Sequence, residues 1–171
     1  MSLSLYDAAI PGYLRMLRNL AAMLDKAQAH AAAQGLELST LAEARLAPDM
    51  YPLARQVQMA SDAAKGGAAR LAGAEPPSFP DTETTFPELR DRIAKTIAFV
   101  ESIRREQLDG AEDRTIELKF PNRTMTFTGP DFLFQFSLPN FLFHVVTAYG
   151  VLRSQGVPLG KMDFLAGAPA A

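Results

Sequence analysis

At 171 residues, 48% of them hydrophobic and 21% charged, the chain is large enough for one core to bury roughly 70% of the unfolded surface, and neither disorder nor a fibrous architecture fits. Lys and Arg number 17 against 19 Asp and Glu, a net charge of −2 without any basic run, which argues against nucleic acid as a partner. The absence of cysteine excludes disulfides, thiolate metal sites and thiol nucleophiles together.

The segment from Met1 to Asp7 has neither the positive start nor the apolar run of a signal peptide, so the expectation is a cytoplasmic protein with a single domain over residues 1–171. From Leu5 to Gln34, Ile10, Leu14, Leu17, Leu20, Leu24, Ala27 and Ala31 recur at the spacing of one helical face, opposite Arg15, Arg18, Asp25 and Lys26. Pro11 near the start and Gly35 after the end punctuate this long amphipathic helix. A linker with a short turn, Leu38 to Leu46, precedes a second helix expected to be capped by Asp49 and to run to about Leu71, with Gly73 closing it. Its buried stripe reads Met50, Leu53, Val57, Ala60, Ala64, Ala68 and Leu71, small enough for close approach of a neighbour; Gly66 and Gly67 fit the same close contact.

After a proline-rich connection, Thr85 and Glu88 form a capping-box pattern with Pro87 in the first turn of a third helix ending near Arg105. Leu89, Ile93, Ile97, Val100 and Ile103 make its inner face, and Arg90, Asp91, Arg92 and Lys95 its outer face. Strict alternation over Arg114 to Phe120, and again over Thr124 to Thr128 after Pro121-Asn122-Arg123, predicts a β-hairpin, which needs support from the bundle as a lid. The last helix, about Pro130 to Ser154, is apolar all round. Such a helix is central, paired with a second copy, or in a membrane. Gln135, Ser137, Asn140, His144 and Thr147 argue against the membrane, and the surplus of phenylalanines predicts a homodimer. Pro139 is expected to kink the helix and free the Gln135 carbonyl.

Two histidines, His30 and His144, cannot make a three-histidine metal site. His30 falls in an alanine-rich last turn, where an imidazole meets the helix C-terminus favourably. His144 lies one turn beyond Asn140 on the most apolar helix, so both share a face. It is either a core histidine bonded to Asn140, Gln56 or a carbonyl, or part of a small-ligand site that the Gln56 and Asn140 amides orient. Phosphate loops, serine elbows and EF-hand loops are absent from the sequence.

Several motifs carry a family resemblance: Ser4-Leu-Tyr-Asp, Arg45-Leu-Ala-Pro-Asp-Met-Tyr-Pro-Leu-Ala-Arg-Gln-Val-Gln, Asp81-Thr-Glu-Thr-Thr-Phe, Leu138-Pro-Asn-Phe, Phe143-His-Val-Val-Thr-Ala-Tyr-Gly-Val-Leu-Arg and Gly160-Lys-Met-Asp-Phe-Leu. Over nearly its whole length the chain resembles an uncharacterised bacterial family, a domain of unknown function within the DinB/YfiT-like metalloenzyme superfamily. The resemblance implies a mainly α fold, an up-down-down-up four-helix bundle, here with a β-hairpin before the last helix. It also implies a divalent-metal position built in many members from one histidine on the second helix and two, four residues apart, on the fourth. His144 matches the second of that pair, Asn140 stands at its partner position and Gln56 at the second-helix position. Amides bind Zn²⁺ or Ni²⁺ far more weakly than imidazole, so the expected site is degenerate, with no resident cofactor. The alternatives are a weakly bound divalent metal at His144 serving a transferase or hydrolase, and a structural or interaction module.

Overall fold

The computed structural model describes residues 4–166. The first three and last five residues lie outside that range, and with them part of the Met1 to Asp7 segment whose lack of a signal-peptide pattern underlies the cytoplasmic expectation. Helix α1 spans Leu5–Gln34. Ser4 caps it by accepting a hydrogen bond from the Asp7 N–H at 3.2 Å, and Gly35, at φ 65°, closes it by donating to the Ala31 carbonyl. Pro11 sits in the second turn rather than the first, and the helix continues through it. The expected short turn is helix α2, Leu38–Glu43.

Helix α3, Leu53–Leu71, begins later than expected, with Pro52 rather than Asp49 at its N-cap. The physical reason is local: a residue preceding proline is driven out of helical geometry, so Tyr51 cannot belong to the helix. Met50 therefore lies outside α3, half-buried, while Leu53, Val57, Ala60, Ala64, Ala68 and Leu71 are all buried. Helix α4, Phe86–Ser102, carries the capping box: the Glu88 N–H donates to Thr85 Oγ1, and the Thr85 N–H donates to the Glu88 carboxylate at 2.9 Å. It stops short of Arg105, which opens a 3₁₀ turn over Arg105–Leu108.

Strands β1, Ile116–Phe120, and β2, Arg123–Phe127, pair antiparallel with Leu118 opposite Met125. Ile116 and Leu118 are buried, whereas Phe120 stays at the exposed rim. The rings of Phe127, Phe132 and Phe136 pack together and fasten the hairpin to the chain that follows. The last helix is not one continuous α-helix. A short turn α5, Gly129–Asp131, leads into a π turn over Phe132–Ser137 and then α6, Leu138–Ser154. Within the π turn the Leu138 N–H donates to the Leu133 carbonyl, five residues back. Widening the coil just before Pro139 accommodates a ring that would otherwise press on the carbonyl one α-turn earlier. Helix α7, Lys161–Leu165, is tied to α1 by Asn19, whose Nδ2 donates to the Phe164 carbonyl at 2.7 Å.

Side-chain pairs give the topology. Arg18 meets Glu101 and Arg90 meets Asp25, so α1 and α4 are antiparallel. Gln56 meets His144 while Gly67 lies against Ser137, so α3 and α6 are antiparallel. Gln58 bonds Glu83 just before α4, and Ser61 bonds Thr96 further along, so α3 and α4 run parallel. The order is up-down-down-up. Parallel neighbours require a connection that returns along the bundle, and residues 72–85 make it.

That return path overturns one expectation about α4. Arg92 is not on an outer face but only 1% exposed. Its guanidinium meets Asp62 of α3 at 2.7 Å and, from the returning connection, Asp81 at 2.9 Å and Glu83 at 3.0 Å. It also donates to the Pro80 carbonyl at 3.1 Å. The connection covers a face that helical periodicity alone assigns to solvent. Among the described residues no helix is long and apolar enough to cross a membrane.

Candidate ligand site

A cleft of about 290 Å³ lies between α3, α6, the π turn and β1. Along α3 it is bounded by Arg55, Met59, Asp62, Ala63, Gly66, Gly67 and Arg70, a stripe beside the alanine face that packs into the core. The stripe runs about 22 Å at the α-helical rise. Asn140 and His144 supply the α6 wall, Phe132, Phe136 and Ser137 the π-turn wall, and Leu118 to Phe120 the hairpin wall. The two glycines set the width. A Cβ at Gly67 would overlap the hydroxyls of Tyr13 and Ser137, which bond one another at 2.7 Å in the core. Burial pushes the Tyr13 phenol well up, so it remains neutral.

His144 is 5% exposed, and its Nδ1 lies 2.8 Å from Gln56 Oε1. Gln56 Nε2 donates to the Tyr51 carbonyl at 3.2 Å, which turns Oε1 toward the imidazole. An amide oxygen only accepts, so Nδ1 carries the proton and Nε2 the lone pair. Nε2 has no hydrogen-bond partner among the described residues and is not sealed from solvent, and the residue lines the cleft. Burial, and secondarily the Arg55 charge, lower the His144 pKa from 6.5. A neutral imidazole in this setting accepts a hydrogen bond or a proton from a ligand's O–H or N–H. Asn140, one turn earlier, is half-buried in the same wall, and its amide makes no hydrogen bond to the described residues.

The charged groups of the cleft differ in how they are matched. Arg55 pairs with Asp81 and lies beside Tyr51, with Cζ 5.9 Å from the ring centre. Asp62 is held by Arg92 at 2.7 Å and by Lys65 at 2.9 Å. Lys119 lies at 3.8 Å from Glu117 in an exposed pair. Arg70 has no acid within ion-pair distance among the described residues; it donates to the Gly66 carbonyl at 3.1 Å.

The family model described as a domain of unknown function, DUF1993, matches residues 5–165. The chain belongs to this family. A crystal structure of a DinB family member from Shewanella denitrificans is similar to it, with 39% identity, a TM-score of 0.89, and coverage of 98% of this chain and 94% of that one. No curated protein matches the chain. The chain is thus a DUF1993 domain on the DinB-like bundle.

Within this DUF1993 domain the structure brings Gln56 and His144 into direct contact and places Asn140 beside His144, as the spacing requires. Gln56 does not line the cleft; it orients the histidine from within the core. His30 is half-buried near Gly156 and takes no part in the cleft. Sequence reasoning missed Arg55, Asp62, Arg70, Ser137 and the hairpin's Lys119. The signal for the α3 members was available: Arg55, Met59, Asp62, Gly66 and Arg70 repeat at helical spacing beside the alanine stripe.

Proposed function

We propose that this protein binds a small polar ligand in the His144 cleft, with His144 as a neutral hydrogen-bond acceptor, Asn140 as an orienting amide and Gln56 as the positioning residue behind them. The Gln56–His144 hydrogen bond carries this reading, because it spends Nδ1 on the core and leaves Nε2 to the cleft. Nitrogen-15 NMR of the histidine ring tests it. The expected result is the Nδ1–H tautomer at neutral pH and a midpoint below 6.5, with the ring signals moved by at least one member of a small polar-compound library. A ring that is protonated at Nε2 and deaf to the whole library favours the interaction-module reading instead. The sign for stability follows from the depressed value: His144 contributes fully above its unfolded pKa, and the contribution declines as the pH falls below it.

The superfamily's metal is a poor fit to these donors. Gln56 Oε1 is engaged by Nδ1–H, which leaves one imidazole nitrogen and one amide, and among the described residues no three His, Asp or Glu side chains converge. Protein purified without chelator is expected to carry well under one equivalent of zinc or nickel by elemental analysis. One tightly held metal per chain, lost in His144→Ala, sinks the degenerate-site reading in favour of a metal-dependent enzyme.

A homodimer belongs to the same proposal. Phe134, Leu142, Phe143 and Val146 are exposed, with Phe143 at 57%, and Leu46 and Tyr51 are exposed as well. The hairpin covers Phe132 but leaves these side chains uncovered, and apolar patches of this kind are commonly buried by twofold pairing. Light scattering at micromolar concentration should give twice the 18.6 kDa chain mass, falling to one chain in the double variant Phe143→Ser, Val146→Ser. A monomer mass for the unmodified protein rules the dimer out.

A further inference from the structure

We infer that the ligand of this cleft is an elongated small-molecule carboxylate with an apolar body, its carboxylate paired with Arg70 and its far end reaching His144 Nε2. The inference rests on the ligand-binding reading above and adds the chemical class.

Arg70 is the charged side chain of the cleft that the protein leaves unmatched. Its guanidinium folds back along α3 and spends one N–H on the Gly66 carbonyl at 3.1 Å, while no acid lies within ion-pair distance among the described residues. Glu75 and Glu117 stand in the adjoining cleft that Arg70 also borders, neither close enough to pair with it. Glu75 acts on Arg70 only from a distance, a guanidinium withdrawn partly from water without a paired acid is costly, and its planar fork of donors matches a carboxylate in two-point fashion. The seat is built for that posture. A Cβ at Gly66 would lie 2.6 Å from Arg70 Nη1, so any side chain there displaces the guanidinium from the wall.

The remaining surfaces give the rest of the ligand. Between Arg70 and His144 the cleft presents Met59, Ala63 and Phe136, and its one acid, Asp62, is already neutralised by Arg92 and Lys65. An apolar chain fits this stretch. From the level of Gly66, where the guanidinium rests, to that of Gln56, which holds His144, is about 15 Å along α3.

Calorimetric titration of the full chain with ω-hydroxydecanoate and with decanediol, alongside NMR of the His144 ring, tests the assignment. The hydroxy acid should bind and move the ring, and the uncharged diol should bind about tenfold more weakly or worse. Arg70→Gln should reduce affinity for the acid to that of the diol. Gly66→Ala should weaken the acid comparably while the melting temperature holds or rises, which keeps the test decisive if the arginine variant proves unstable. Equal affinity for acid and diol, with the ring moved by both, overturns the carboxylate and leaves the ligand cleft standing. Failure of the hydroxy acid to bind or to move the ring overturns the carboxylate, and only a ring deaf to the whole compound library overturns the ligand cleft as well.

Discussion

Arg92→Ala is expected to lower the folding stability by about 3 kcal/mol, the low end for removing one partner of a buried ion pair. The buried guanidinium is the point at which α4, α3 and the returning connection meet, through Asp62, Asp81, Glu83 and the Pro80 carbonyl. Its loss leaves Glu83 without a cation, and Asp62 and Asp81 with Lys65 and Arg55 alone. The carboxylates themselves retain access to water, with side-chain exposures of 39%, 33% and 15%, and rehydration softens the penalty. Urea unfolding followed by circular dichroism measures the change at neutral pH. A loss below about 1 kcal/mol, the worth of an exposed pair, means the connection is held by its own packing.

Acid should loosen the same joint. Burial works to raise the Asp81 pKa, but the Arg55 hydrogen bond and the Arg55 and Arg92 charges outweigh it and hold the carboxyl below 3.8. The depressed value makes its contribution complete above the unfolded pKa and lost as the pH falls through the folded one, so the effect belongs below about pH 4.

Gly67→Ala and Gly66→Ala should move stability in opposite directions although the positions are adjacent. Alanine is better than glycine in a helix interior by about 1 kcal/mol, so both variants start with a gain. At Gly67 the added methyl overlaps the Tyr13 and Ser137 hydroxyls, whose side chains are locked to each other and buried. Overpacking of that kind costs about 1–3 kcal/mol, and separating the two hydroxyls adds an unsatisfied polar group. A net destabilisation of about 1–2 kcal/mol is expected, with a drop in melting temperature. At Gly66 the only conflict is with the far end of Arg70, which can swing into solvent, so stability should rise by up to about 1 kcal/mol. Thermal melts of the two variants decide the matter, and a shared sign refutes the account of how the glycines set the cleft.

The elements of this protein follow from interactions within about four residues, which is why the sequence alone specifies them. The apolar face of α1, the Thr85–Glu88 box, Gly35 at the end of α1 and the alternation of the hairpin each depend on immediate neighbours. The i, i+4 placement of Asn140 and His144 is of the same kind, and the motif resemblance supplied Gln56 as the partner that the structure sets at 2.8 Å. The start of α3 is local too: Pro52 keeps Tyr51 out of helical geometry, so the helix cannot begin at Asp49, where the capping residue type alone puts it.

What the tertiary structure decided are the burials that depend on how the chain returns. Arg92 has the periodicity of an outer-face residue, and only because α3 and α4 are parallel does residues 72–85 pass back over it, bringing Asp81 and Glu83 to its guanidinium. The π turn before Pro139 answers a local clash, but the seats of its side chains, Phe136 against Phe127 and Ser137 against Gly67, belong to the tertiary packing. The cleft is the clearest case. Its walls come from α3, α6, the π turn and β1, and whether Arg70 finds an acid is a fact about all four, set by long-range charge matching that no local pattern encodes.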